Sequence, residues 1–351
     1  MNLETREIAP GYAITRLIRG GWQLAGGHGT IDRDQAVEDL LATFDAGVTT
    51  FDCADIYTGV EELYGALRER LRAIRGEGAV RRLRVHTKIV PDLAILRTLR
   101  RADIEAIVDR SLRRLRVDRL DLVQFHWWDY AAPGWLEAMR WLDGLRRAGK
   151  VGLIGGTNFD VGHVQAILAA GIPLASMQVQ YSVLDRRPES AFAEICRSHA
   201  VALLCYGTVA GGFLSDRWLD AAEPATPLAN RSLVKYKLII EDFGGWPLFQ
   251  ELLRVLRKIA DRHGADIASV ATRLTLDYSG VAAAIVGATS QRHLAANVSA
   301  VKLALTDVDR AEVEAVASRR RGPSGEVYGL ERDRHGRHGS IMKYSLNAES
   351  A

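Results

Sequence analysis

The chain of 351 residues holds only three cysteines, Cys53, Cys196 and Cys205. Their spacings suit neither a zinc site nor a disulfide framework, which excludes a metal-stapled or cross-linked secreted scaffold and fits a reducing compartment. A net excess of either charge is also missing. The net charge of +3 is too small for a nucleic-acid surface. The arginine-rich pieces RRLR (Arg81 to Arg84) and SLRRLR (Ser111 to Arg116) are interleaved with acids or with an apolar helical stripe, as solvated faces are. No apolar run approaches the roughly 20 residues that cross a bilayer, and the opening MNLETREIAPGY lacks the charged-then-apolar build of a signal peptide. The expectation is a soluble, cytoplasmic protein with neither nucleic acid nor membrane as a partner. GxSxG, a P-loop and GxGxxG are missing as well. Of the nine histidines, His335 and His338 lie in RHGRHG, which has no helix-borne spacing and no acid placed as a ligand, so no metal is expected.

What the chain does have is the makeup of an ordinary globular protein, 48% hydrophobic and 25% charged. Eight β-rich runs recur: ITRLIRG, VTTFDCA, LRVHTKIV, LDLVQFHWW, VGLIGGTNF, ASMQVQYSV, VALLCYGTV and AAAIVGATS. Between most of them lie amphipathic stretches such as DRDQAVEDLLATFDAG and RADIEAIVDRSLRRL, with apolar residues at helical spacing and glycine often at the stop. Strands alternating with helices pair in parallel through right-handed crossovers, and eight such units close into an α/β, (β/α)8 TIM barrel. A doubly wound sheet is the competitor. Its glycine fingerprint is absent from IRGGWQLAGGHG, which does not lead directly into a helix.

The seventh and eighth strands stand far apart, so FLSDRWLDAAEPATPLANRSLVKYKLIIEDFGGWP is a long loop insertion or an extra helix. Thr306 and Asp307 are candidate caps of a late helix. Beyond residue 321 the chain turns polar and loses its period. Residues 1–321 are read as the barrel and 322–351 as a tail, which the apolar weight of IMKYSL favours as an arm laid over it.

Strand ends of a barrel converge on one face. Asp52 and Tyr57 follow the second strand, Lys88 lies on the third and His126 ends the fourth. Thr157 and Asn158 follow the fifth, Gln178 lies in the sixth and Tyr206 in the seventh. Asp52 can neutralise a lysine in a strand, and an ammonium near Tyr57 would lower the phenol's pKa. Tyr57 is then a general acid for a developing alkoxide, with His126 on the same substrate oxygen. Asp55, in the loop, reads as a cap or a solvent-exposed acid, and Cys53 on the alternate face of its strand is no nucleophile.

FDCADIY, with Lys88 in HTKIV and His126 in LVQFHWWD, resembles the Asp, Tyr, Lys, His tetrad of the aldo-keto reductases, the potassium-channel β-subunit-like branch included. The likeness runs from LIRGGWQLAGG through GKVGLIGGTNFD, MQVQYSVLDR and YGTVAGGFLS to IVGATSQRHLAAN. The resemblance implies that Tyr57 donates the proton, that Lys88 and Asp52 tune it, and that His126 orients the carbonyl. It places Thr157, Asn158 and Gln178 at the nicotinamide carboxamide, with Tyr206 beneath the ring. Gly212 and Leu214 fall along the pyrophosphate, Thr289, His293 and Asn297 at the adenosine phosphate and adenine, and Gly21 and Trp22 in the pocket lining. The cofactor implied is NADP, with NAD open because the family's common cation near Thr289 is absent and Arg292 is the nearest one. YGTV stands where the family usually has Ser-Pro-Leu.

The function expected is NAD(P)H-dependent reduction of an aldehyde or ketone, or oxidation of the matching alcohol or sugar. Trp22, Trp127 and Trp128 form an aromatic wall suited to a sugar or aryl aldehyde, or else pack the core; the partner expected is a small-molecule carbonyl or sugar substrate. A homo-oligomer is compatible with the sequence. A nicotinamide-binding sensor with little turnover is the alternative. A lyase using Lys88 as a Schiff-base amine is the third reading.

Overall fold

The computed structural model describes residues 3–26, 29, 31–288 and 290–347. A hairpin, β1 (Thr5–Ala9) and β2 (Tyr12–Thr15), precedes the barrel strands. These are β3 (Leu17–Gly20), β4 (Thr50–Asp52), β5 (Arg84–Ile89), β6 (Leu120–Phe125), β7 (Val151–Thr157), β8 (Leu174–Gln180), β9 (Ala202–Tyr206) and β10 (Val281–Gly287). They are all parallel and close in chain order, β10 pairing with β3 through Ala284↔Leu17 to Gly287↔Gly20. The eight strands expected from the sequence are the eight barrel staves.

The sequence reading missed the hairpin, whose signal was the Pro10-Gly11 turn pair between two short alternating runs. Its position explains why it exists. Ile8 and Ile14 cluster with the inward-facing Ile18, Leu122, Leu204, Ala283 and Ile285, so the hairpin plugs the N-terminal end of the barrel with an apolar floor. Strand alternation then sets what lies above that floor. Leu122 faces inward, so Gln124 two residues on does too, and Lys88 pairs with it in register. The interior is therefore apolar at one end and polar at the end where the strands finish.

Helices pack on the outside of the barrel through the largest apolar cluster. A second cluster gathers the helices Arg231–Phe243, Trp246–His263, Ile267–Asp277 and Asp307–Ala317. The first of these is the core of the long insertion. Asn230 caps it through Leu233 N at 3.0 Å, and Leu233, Tyr236, Ile239, Ile240 and Phe243 are buried along one face. Thr306 caps the last of the four, in a reciprocal capping box with Asp309. No helix among the described residues is long and apolar enough to cross a membrane.

Candidate functional site

β4 ends at Asp52, whose carboxylate enters the polar layer of the barrel. Lys88 Nζ on neighbouring β5 lies 2.5 Å from Asp52 Oδ2 and donates a second hydrogen bond to Cys53 O at 2.8 Å. Asp52 Oδ1 accepts from Gln178 Nε2 at 2.7 Å and from Gln124 Nε2 at 3.1 Å. Both charged side chains are only 4% exposed. A pair this deep is tolerable only with its remaining lone pairs filled, which is what the two amides do. Gln124 was absent from the sequence-derived site. An amide inside the apolar LDLVQF, on the same strand face as His126, was the signal. Gly21 fits against this layer because a Cβ there would lie 2.9 Å from Asp52 O and 2.7 Å from Val60 Cγ1.

Tyr57 sits in the turn between β4 and the helix Val60–Arg75. The Lys88 ammonium lies 5.0 Å from its ring centroid, and the Trp22 ring packs on it at 5.2 Å. Burial pushes the phenol's pKa up and Lys88 pulls it down; burial wins, so the net direction is upward. This corrects the expectation of a lowered pKa, since the phenol loses water as well as gaining a cation. Burial works against the Lys88 charge, but Asp52 and Tyr57 together outweigh it and hold the ammonium above its ordinary range.

His126 follows β6, with Nδ1 3.0 Å from Thr157 O. A carbonyl can only accept, so Nδ1 carries the hydrogen. Burial, with Arg332 beside it, lowers the imidazole pKa to about 3, and Nε2 is buried without a partner. Asp55 is not exposed. It is 2% accessible, accepts from Val90 N at 3.2 Å, and burial with Glu61 nearby pushes its pKa well up. The chain turns back over it into the helix Val60–Arg75, whose Glu61 is buried beside it. Trp127 is wholly buried and its Nε1 donates to Asp129 O and Ala132 O, so it belongs to the core; Trp22 and Trp128 remain beside the tetrad.

The strand ends β7, β8 and β9 bring a second group together. Asn158 N donates to Gln178 O at 2.9 Å, and Tyr206 Oη donates to Asn158 Oδ1 at 3.0 Å. Asn158 has a positive φ of 61°, a conformation that these contacts hold. Thr157 Oγ1 is buried and unpartnered. Gly212 lies in the loop after β9, and Leu214 is fully buried in the second cluster, so the loop would meet a ligand through backbone there. His293 is exposed, and Asn297 lines a small cavity with Arg19 and Ser290. Thr289 lies outside the described residues.

Comparison with known proteins bears on the fold and the family. The model of the Aldo/keto reductase family matches residues 16–318. The chain belongs to the aldo/keto reductase family. It is 28% identical over 310 residues to flagellar radial spoke protein 5 of Chlamydomonas reinhardtii, covering 69% of this chain and 56% of that protein, so it spans little more than half of that relative. It is 25% identical over 317 residues to the NADH-specific methylglyoxal reductase of Escherichia coli, covering 84% and 92%. The solved glycerol dehydrogenase of Gluconobacter oxydans is 26% identical, with a TM-score of 0.73 over 92% of this chain and 97% of that one.

In this aldo/keto reductase Tyr328, Glu331 and Arg332, near the tetrad, lie beyond the matched span. The C-terminal arm crosses the strand-end face, and Tyr328 sets its ring edge-on to His126 at 5.5 Å. Glu331 is 1% exposed and takes two hydrogen bonds from Arg187, at 2.8 and 3.0 Å, while Arg187 also pairs with Asp185. Arg332 donates to Trp127 O, to Trp128 O at 2.9 Å and to Asn158 O at 2.8 Å, and stacks 3.8 Å over Tyr130. Lys235 of the insertion helix lies 5.2 Å from the Tyr206 ring and 5.6 Å from that of Tyr328. Arg187, Lys235, Tyr328, Glu331 and Arg332 were not expected from the sequence, because the tail has no period and ion pairs between distant segments leave no spacing signal.

Proposed function

We propose that this aldo/keto reductase reduces an aldehyde or ketone, reversibly, with Tyr57 as the proton donor and a nicotinamide nucleotide as the reductant. The observation that carries this reading is the half-buried Tyr57 against the buried Lys88–Asp52 pair, with the ammonium against the phenol ring and both carboxylate oxygens of Asp52 engaged. A phenol that burial keeps protonated holds its proton until an alkoxide, a far stronger base, develops beside it. Lys88 then stabilises the phenolate left behind, and Asp52 keeps Lys88 charged in a site with little water.

Thr157, Asn158, Gln178 and Tyr206 would hold the nicotinamide end, Gly212 and Leu214 the pyrophosphate, and Thr289, His293 and Asn297 the adenosine end, with Gly21 and Trp22 lining the pocket. The unpartnered buried Thr157 hydroxyl and the Asn158 turn fit a polar planar ligand at that point. When bound, the nicotinamide supplies the hydride. The chain's residues orient the carbonyl, exclude water and deliver the proton.

Tryptophan fluorescence on titration with NADPH and with NADH, followed by nucleotide oxidation with a panel of aldehydes, tests the reading and assigns the cofactor. Binding with turnover supports it. Binding with no turnover on any carbonyl would indicate a nicotinamide-binding sensor, and binding of neither nucleotide would sink both.

A further inference from the structure

Lys235 is a largely buried cation to which the proposed reaction gives no task. It lies on the insertion helix Arg231–Phe243, its side chain 16% exposed. Its Nζ is 5.2 Å from the Tyr206 ring, 5.7 Å from that of Tyr236 and 5.6 Å from that of Tyr328. The seat of the helix puts it there. Tyr236, the next residue, packs on the loop after β9, where a Cβ at Gly207 would run into its Oη and one at Gly211 would lie 2.6 Å from its Cδ2. Those two glycines admit the tyrosine, and with it the helix brings Lys235 against Tyr206.

An ion pair alone does not account for this lysine. Glu331 lies 3.8 Å from Nζ, but both of its oxygens already take hydrogen bonds from Arg187, at 2.8 and 3.0 Å. Enclosing a further charge beside a pair that is already complete is costly. Lys235, Arg187, Asp185 and Glu331 sum to zero charge, yet the member set against the Tyr206 ring is a positive one. Burial lowers the lysine's pKa, and Glu331 opposes that shift and supports the charged form.

We propose that Lys235 makes the site discriminate between the two redox forms of the nucleotide, favouring the reduced one. The oxidised nicotinamide ring carries a positive charge and the reduced ring carries none, so an ammonium facing the ring at Tyr206 repels the first and not the second. Between exposed groups in water such a repulsion is weak; with little water and no salt between the charges it is felt several-fold more strongly. The inference rests on the reading that places the nicotinamide at Tyr206, and adds to it that the site loads reduced nucleotide and releases oxidised nucleotide readily.

The test is the ratio of Kd for the oxidised over the reduced form of whichever nucleotide wild type binds, NADP+ over NADPH or NAD+ over NADH. Tryptophan fluorescence at pH 7 and fixed ionic strength reads it in wild type, Lys235→Met and Lys235→Arg. Taking the ratio within one protein cancels every contact that the two forms share. The ratio is expected to favour the reduced form by at least tenfold in wild type, to fall about tenfold in Lys235→Met, and to be kept in Lys235→Arg, which retains the charge. Lys235→Gln carries the same comparison should Lys235→Met not fold. Wild type binding the oxidised form as tightly as the reduced, or a ratio unchanged in Lys235→Met, overturns the inference and leaves the reductase reading standing. Equal loss in Lys235→Met and Lys235→Arg, which side-chain shape rather than charge would give, overturns it too. Binding of neither nucleotide by wild type overturns the reductase reading itself, and this inference with it.

Discussion

At the scale of single residues the site is governed by burial, and pH is the variable that exposes it. Burial raises the Tyr57 pKa and lowers that of His126 to about 3, so neither is expected to change ionisation between pH 5 and 8. For the reduction, kcat/KM is expected to stay flat across that range and to fall only above pH 10, as the phenol loses its proton. A limb with its midpoint near 6.5 in the pH–rate profile would put a titrating histidine back into the mechanism. The Asp52–Lys88 pair makes a second demand. Asp52→Asn leaves a buried ammonium without its counter-charge and should cost about 3–5 kcal/mol, the usual penalty for breaking a buried pair from one side. Chemical denaturation reads it directly.

At the scale of elements, close approaches decide the sign of substitutions that propensity alone gets wrong. Gly65 lies inside the helix Val60–Arg75, where Gly→Ala ordinarily gains about 1 kcal/mol. Here a Cβ would run into the Arg114 carbonyl of the facing helix Arg101–Leu115. Gly65→Ala is therefore expected to lower the melting temperature. The arm has its own acid dependence. Burial pushes the Glu331 carboxyl up, but Arg187 and Lys235 outweigh it and bring it from an ordinary 4.5 to about 2. A depressed carboxylate contributes stability in full above pH 4.5 and loses it as pH falls towards 2. Amide protection around Tyr328 and Arg332, corrected for the intrinsic pH dependence of exchange, should fall through that window in wild type and be low at every pH in Glu331→Gln.

Legibility also follows scale. Asp52, Lys88 and His126 could be read because ionisable groups in apolar strands have few explanations, and strand order places them together. Leu233, Tyr236, Ile240 and Phe243 carried a plain helical period inside the insertion. The hairpin went unread, although Pro10-Gly11 marked its turn. Asp55 was misread because burial of a loop acid depends on how the chain folds back over it, and the sign of the Tyr57 shift depends on a balance of burial and charge that only coordinates supply. The arm's Tyr328, Glu331 and Arg332 were invisible for a further reason. Their partners, His126, Arg187 and Asn158, are far off in sequence, and no period connects them.

At the scale of the whole molecule, the barrel divides its labour between its two ends. The hairpin seals one end with isoleucines, while the polar layer and the arm complete the other. The proposed proton transfer from Tyr57 at this second end is tested by Tyr57→Phe, which removes one hydroxyl and keeps the ring against Trp22 and Lys88. Single-turnover reduction should slow by about 10²–10⁴-fold, the span expected for a general acid, while the fluorescence titration with nucleotide stays within a few-fold of wild type. A Tyr57→Phe protein that binds nucleotide and reduces aldehydes at the wild-type rate would contradict the account.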